Sequence, residues 1–252
     1  KAIDPWGLIQ LRELWFLTIL IATLSFAGYI AVRLLGERAG LAVGAAAGSV
    51  VSSTLTVTEL AGRVRRGELT AADAAAAASV STLVMLIRAG LLLGVLAPHI
   101  FALILPALVA PAGIAGMVAL YLLRPRARQP DHPLLPGLRS PLDLGSVVRF
   151  ALLIGGLNIS VALATRLVGD LAVLPVAAVS GLADIDAIIL NVTRLTETSA
   201  DLAARAILIA ILANMTSKSV LSFLAGNRAF GALYTASTLA AVLAGVSAWL
   251  LT

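Results

Sequence analysis

The chain has 252 residues, of which 60% are hydrophobic and only 12% charged, and its net charge is +5. Soluble domains carry roughly twice that share of charged side chains, so too few polar groups remain to cover a water-facing surface. The absence of cysteine excludes disulfides, thiolate ligands and thiol nucleophiles, and the basic residues are scattered over loops rather than gathered as a nucleic-acid-binding patch.

Hydropathy predicts an all-α, polytopic membrane bundle of about eight spans. The first runs from Leu11 to Leu35. It lacks the short core and small-residue cleavage site of a signal peptide and reads as a retained span; the start at Lys1 rather than methionine points to an upstream segment cut away or not included. The second span runs from Gly40 to Ala61, after which Arg63, Arg65, Arg66 and Glu68 break the pattern. The third covers Ala71 to Ala97, opened by a cap-like Thr70 and Asp73, and Pro98 separates it from a fourth, Phe101 to Leu123. A polar linker from Arg124 to Pro141, rich in proline and arginine, forbids a span. The fifth to eighth spans are Leu144 to Val168, Leu171 to Leu195, Leu202 to Leu224 and Phe230 to Leu251. Arg63, Arg65, Arg66, Arg124, Arg126, Arg128 and Arg139 share one side of this topology. The positive-inside rule makes that side cytoplasmic and places both termini there.

RLLGE at Arg33 to Glu37 matches RLVGD at Arg166 to Asp170, an offset of 133 residues. The same offset pairs Gly48 with Gly181, Ser25 with Asn158, Ser53 with Asp186, and Ser81 with Asn214. Two tandem four-helix repeats are therefore expected, 1–123 and 142–252, joined by the cytoplasmic linker 124–141. An even number of spans per repeat makes the halves parallel, related by an axis along the membrane normal.

Polar residues near the span centres form a belt: Ser25, Ser52, Ser53, Ser81, Asn158, Asp184, Asp186 and Asn214. A carboxylate at that depth costs about 2.5–3.5 kcal/mol on insertion scales, so Asp184 and Asp186 demand a cation, a proton or a basic side chain. At about 100° per residue, Asp184 shares a face with Asn191 while Asp186 points elsewhere. Either the two acids serve different sites or the helix opens near Gly181, with Pro175 assisting. Gly40, Gly44 and Gly48 repeat the spacing that permits close helix approach, and the second and sixth spans are expected to pack together. Arg88 and Lys218 are the candidate charge partners of Asp184. Such pairing would leave a structural ion pair and no transport. His99 and His132 stand at loop-like positions beside prolines, which argues against a histidine metal cluster.

GSVVSST at Gly48 to Thr54, SGLADIDA at Ser180 to Ala187 and ANMTSK at Ala213 to Lys218 resemble the C-terminal membrane region of bacterial MgtC/SapB-related proteins. In that family this region is a domain of unknown function, so the resemblance implies a membrane fold and carries over no catalytic residue. It also implies an additional N-terminal membrane domain in the relatives and tilts the choice of ion toward Mg²⁺.

The leading expectation is a transporter or channel for a hard inorganic cation (Mg²⁺ favoured; Na⁺, K⁺ or H⁺ as alternatives), in the bacterial inner membrane. Its site would lie at the repeat interface, with Asp184 and Asp186 as metal ligands or proton carriers supported by Asn191, Asn158, Asn214, Ser52 and Ser53. Gly40, Gly44, Gly48 and Gly181 would serve helix packing. The expected partners are the lipid bilayer, the cation and a second copy of the chain; no nucleic acid and no cofactor beyond a bound cation such as Mg²⁺ is expected. The alternatives are a non-transporting regulatory or assembly module, and an intramembrane aspartyl hydrolase with paired carboxylates. The hydrolase fits less well because the remaining aspartates fall near span ends or in loops, and the expectation is of no enzyme.

Overall fold

The computed structural model describes residue 19 and residues 40–123, 172–192 and 199–251. The expected first and fifth spans, apart from Ile19, the linker from Arg124 to Pro141, both RLxG-acid motifs and Asn158 lie outside the described residues. Among those described, the fold is all helical, with no strand. The helices are α1 (Gly40–Arg65), α2 (Ala71–Leu96), α3 (Pro98–Leu122), α4 (Val173–Ala183), α5 (Asp186–Val192), α6 (Ala200–Leu221) and α7 (Arg228–Leu250), and a π-helical turn (Ser222–Gly226) follows α6.

Four of these elements are long and apolar enough to cross a membrane: α2, α3, α6 with its π turn, and α7. At about 1.5 Å rise per residue each exceeds the ~30 Å hydrocarbon core. Their outward surfaces are apolar, as at Val109, Met117 and Leu120 on α3 and Leu239 and Leu243 on α7, which suits lipid rather than water. By length and composition these four helices are those of a membrane protein.

The helix starts follow from local chemistry. Thr70 Oγ1 accepts the Asp73 backbone N–H at 3.1 Å and donates to Asp73 Oδ2 at 2.7 Å, so the expected cap of α2 is present. Pro98 occupies the first position of α3, where a missing N–H costs nothing; the helix therefore starts three residues before the expected Phe101, with His99 in its first turn. Ser199 Oγ accepts from Leu202 N–H and opens α6, and Asn227 Oδ1 accepts from Phe230 N–H at 2.8 Å and opens α7. Beyond α1 the Arg66 guanidinium makes a two-pronged hydrogen bond to the Glu68 carboxylate, and this bond holds Glu68 below the usual carboxylate range.

The described residues divide into two compact units. One contains residue 19 and residues 91–104, 172–192 and 199–214; the other contains 40–90, 105–123 and 215–251. The second has a core of Leu41, Ala45, Val57, Leu60, Ala61 and Val64 of α1, Ala74, Ala75, Ala77 and Ala78 of α2, and Phe230 and Tyr234 of α7. With no hydrophobic drive between helices in lipid, small residues that let backbones approach supply the packing. Gly245 of α7 shows the same device. A Cβ there would lie 3.2 Å from the Ala107 carbonyl oxygen, which Pro111, four residues on and without an N–H, leaves without its helical donor.

The second and sixth spans are both broken, the second against expectation and the sixth close to Gly181, one of the two alternatives the sequence offers. The expected helix from Leu171 to Leu195 is two helices, α4 and α5, parted at Asp184, whose backbone is extended (φ −156°, ψ 142°). Helix α1 is interrupted at Ser52 (φ −159°, ψ 111°) and runs on past the expected Ala61 to Arg65.

Candidate functional site

The break between α4 and α5 is built by four residues of the first unit. Asp184 ends α4, its N–H still bonded to the Ser180 carbonyl at 2.9 Å. Its Oδ1 then accepts the Asp186 N–H at 2.9 Å. This Asx turn, a short side chain competing with the helical ladder, both stops one helix and starts the next. The Gly181 carbonyl, whose helical donor would be the Ile185 N–H, instead accepts from Asn214 Nδ2 of α6 at 2.9 Å. Gly181 makes that reach available: a Cβ on it would lie 2.3 Å from the Ala210 carbonyl oxygen, so α4 and α6 meet backbone to backbone one turn from Asn214.

Asp184 is half-buried, and three polar groups beside it are enclosed. Asp186, Asn191 and Asn214 are 1%, 3% and 2% exposed. Asn214 Oδ1 is buried without a hydrogen-bond partner, a condition that costs on the order of 1–3 kcal/mol. The C-terminal end of α4 directs carbonyl oxygens and the negative end of its dipole to this point, and Asp186 occupies the first turn of α5. Negative potential from the α4 terminus and the acids favours a cation.

The other described residues that the sequence singles out belong to the second unit, several of them around the break in α1. Ser52 Oγ accepts the Leu55 N–H at 3.3 Å and so caps the second half of that helix. The Thr56 hydroxyl donates to the Ser52 carbonyl at 2.9 Å. It fills the space that a side chain on Gly48 would need, since a Cβ there would lie 2.7 Å from Thr56 Oγ1. Gly48 thus accommodates the fold of its own helix; Gly40 opens α1 and Gly44 is buried within it. Ser53 is buried, and its carbonyl accepts from Ser81 Oγ at 3.2 Å. One Arg88 hydrogen bond runs from Nη1 to the Val50 carbonyl at 2.7 Å, in the turn before the break. Lys218 is fully buried, and one of its contacts places Nζ 3.0 Å from Met85 Sδ.

Hydropathy passed over a buried hydroxyl seam between α2 and α7. Ser79 and Ser237 hydroxyls lie 3.2 Å apart and those of Thr82 and Tyr234 2.9 Å apart. The signal was available: each helix carries its two polar residues at i and i+3, one face of a helix.

Among the described residues no group of three or more His, Cys, Asp or Glu is placed to hold a metal ion. Any cation at the α4–α5 break would be held by carboxylate, amide and carbonyl oxygens, the donor set of hard ions. No curated protein and no solved structure matches the chain. Residues 19–226 match the model of one family, described as a domain of unknown function (DUF4010), and the chain belongs to that family.

Proposed function

We propose that this protein is a membrane transporter or channel for a hard inorganic cation, with its site at the α4–α5 break. The observation that carries the reading is the buried Asp186, delivered at the start of a helix that begins inside an apolar stretch, after a break built by Asp184, Gly181 and Asn214. Broken helices at membrane depth are tolerated where they are enclosed by protein or line a cavity, and their freed carbonyls serve ion sites. The inner-membrane location, the cytoplasmic termini and the MgtC/SapB relation, which favours Mg²⁺, belong to the same proposal.

Two observations support the tandem-repeat reading. At the offset of 133 residues, the extended Ser52 and the extended Asp184 fall one position apart, each followed by a helix that its own side chain helps to start. Lys218 and Met85, which touch, are separated by that same offset. Contact between equivalent positions is what an axis relating two repeats produces.

The test is cation flux in proteoliposomes. Asp184→Asn and Asp186→Asn are expected to abolish flux while the variants elute as folded protein. Unchanged flux in both variants across Mg²⁺, Ca²⁺, Na⁺, K⁺ and H⁺ ends the proposal. The second reading, a non-transporting regulatory or assembly module, is favoured by the burial of Lys218 and Arg88; it expects wild type to carry none of these ions.

A further inference from the structure

At its break, helix α1 ends one half-helix, residues 40–51, and starts another, residues 53–65. The two ends need opposite company. Last carbonyls and the negative end of a helix dipole favour a positive group, and first N–H groups favour an acceptor. Each end has its own partner. At the starting end Ser52 Oγ accepts from the Leu55 N–H. At the finishing end the Arg88 guanidinium of α2 donates from Nη1 to the Val50 carbonyl at 2.7 Å, a charge-assisted bond from a side chain only 9% exposed. About two turns earlier on the same face of α2, Ser81 Oγ donates to the Ser53 carbonyl at 3.2 Å. Arg88 and Ser81 thus hold α1 on either side of the extended Ser52, and of the two only Arg88 brings charge.

We infer that the α1 break is a cation site filled by the chain's own guanidinium. Arg88 is its built-in ion, and the residue that keeps this break from taking a free one. The α4–α5 break is answered differently: the Gly181 carbonyl is met by the neutral amide of Asn214, and acidic residues follow. The contact at Val50 also sets the class of the occupant. A guanidinium is planar, always charged and carries several N–H donors in a fixed fork, a pattern that a compact ammonium does not reproduce. Emptied of Arg88, the α1 break therefore binds a small free cation of the guanidinium class. This inference stands on α1 and α2 alone and does not depend on transport.

Chemical rescue of the full chain in detergent tests it, with thermal unfolding as the readout. Arg88→Ala is expected to unfold at a lower temperature than wild type. Ethylguanidinium chloride at millimolar concentration is expected to raise the midpoint of that variant by about 2–4 °C and to leave wild type unmoved. Ethylurea has nearly the same shape without the charge and is expected to do neither. Ser81→Ala, which removes the uncharged half of the clamp, is expected to lose stability with no recovery in either compound. Equal recovery of Arg88→Ala by ethylurea and ethylguanidinium shows a gap of that shape and no cation site, and overturns the inference. So does recovery by neither. Should Arg88→Ala fail to fold, Arg88→Lys and Arg88→Met decide, since they are of similar length and differ in charge. Lysine is expected to give more folded protein and a higher midpoint; methionine equal to it or better overturns the inference. Because unfolding and not flux is read, failure here leaves the transport proposal standing, and absence of flux leaves this inference standing.

Discussion

Gly181 carries a hydrogen where any side chain would collide with the Ala210 backbone, and the Asn214 hydrogen bond depends on that approach. Gly181→Ala is expected to destabilise the protein by about 1–3 kcal/mol, the usual cost of overpacking. It should also weaken whatever flux Asn214 supports, because parting α4 from α6 withdraws the amide. Gly113 in α3 is the control: a Cβ there meets nothing within 4 Å. Replacing it with alanine in a helix interior is expected to be neutral or stabilising by up to about 1 kcal/mol. Thermal unfolding of both variants in one detergent checks the pair. A Gly181→Ala protein as stable as wild type would show that the two helices can separate at little cost. At this scale the sequence was informative about residue type. Asp184, Asp186, Asn191 and Asn214 stand out as polar groups in apolar stretches, but nothing in their spacing said that Asn214 would turn its nitrogen to one carbonyl and leave its oxygen bare.

Helix boundaries were legible wherever a short polar side chain or a proline governs them locally. Thr70 with Asp73 and Pro98 mark their helix starts because each acts within one turn of itself. Thr70→Ala is expected to cost about 1 kcal/mol, the usual worth of such a cap, read as a lowered unfolding midpoint with cation flux unaffected. The breaks were harder. Pro175, which the sequence offers as the breaker of the sixth span, sits in the first turn of α4, where its missing N–H is harmless. The helix parts instead at Asp184, whose carboxylate takes over the N–H of Asp186. Ser52 does the same for α1 with a hydroxyl. Both are ordinary polar residues that a hydropathy window averages away, so the second span reads as continuous and the opening of the sixth is legible only as one of two alternatives, near Gly181.

For the whole molecule, the proposed arrangement places Arg65 and both termini on the cytoplasmic side. Because the chain contains no cysteine, single cysteines report this directly. A cysteine at Arg65 or Thr252 in inside-out vesicles is expected to react with a membrane-impermeant maleimide, and one at His99 to react only from the opposite face. The reverse pattern would invert the topology. Composition and the length of its apolar runs were enough to show that this chain is helical and made for a bilayer, since those properties are sums over residues and need no knowledge of partners. The sequence likewise marked the acids as costly and therefore in need of company. Only the tertiary structure decided where the helices open, which carbonyl Asn214 occupies and which glycine serves a partner helix rather than its own. The physical reason is that, beside the local capping side chains, the α4–α5 break exchanges a helical donor of the Gly181 carbonyl for a side chain from elsewhere in the chain. That side chain, Asn214, is 33 residues away from Gly181, beyond the reach of any local pattern.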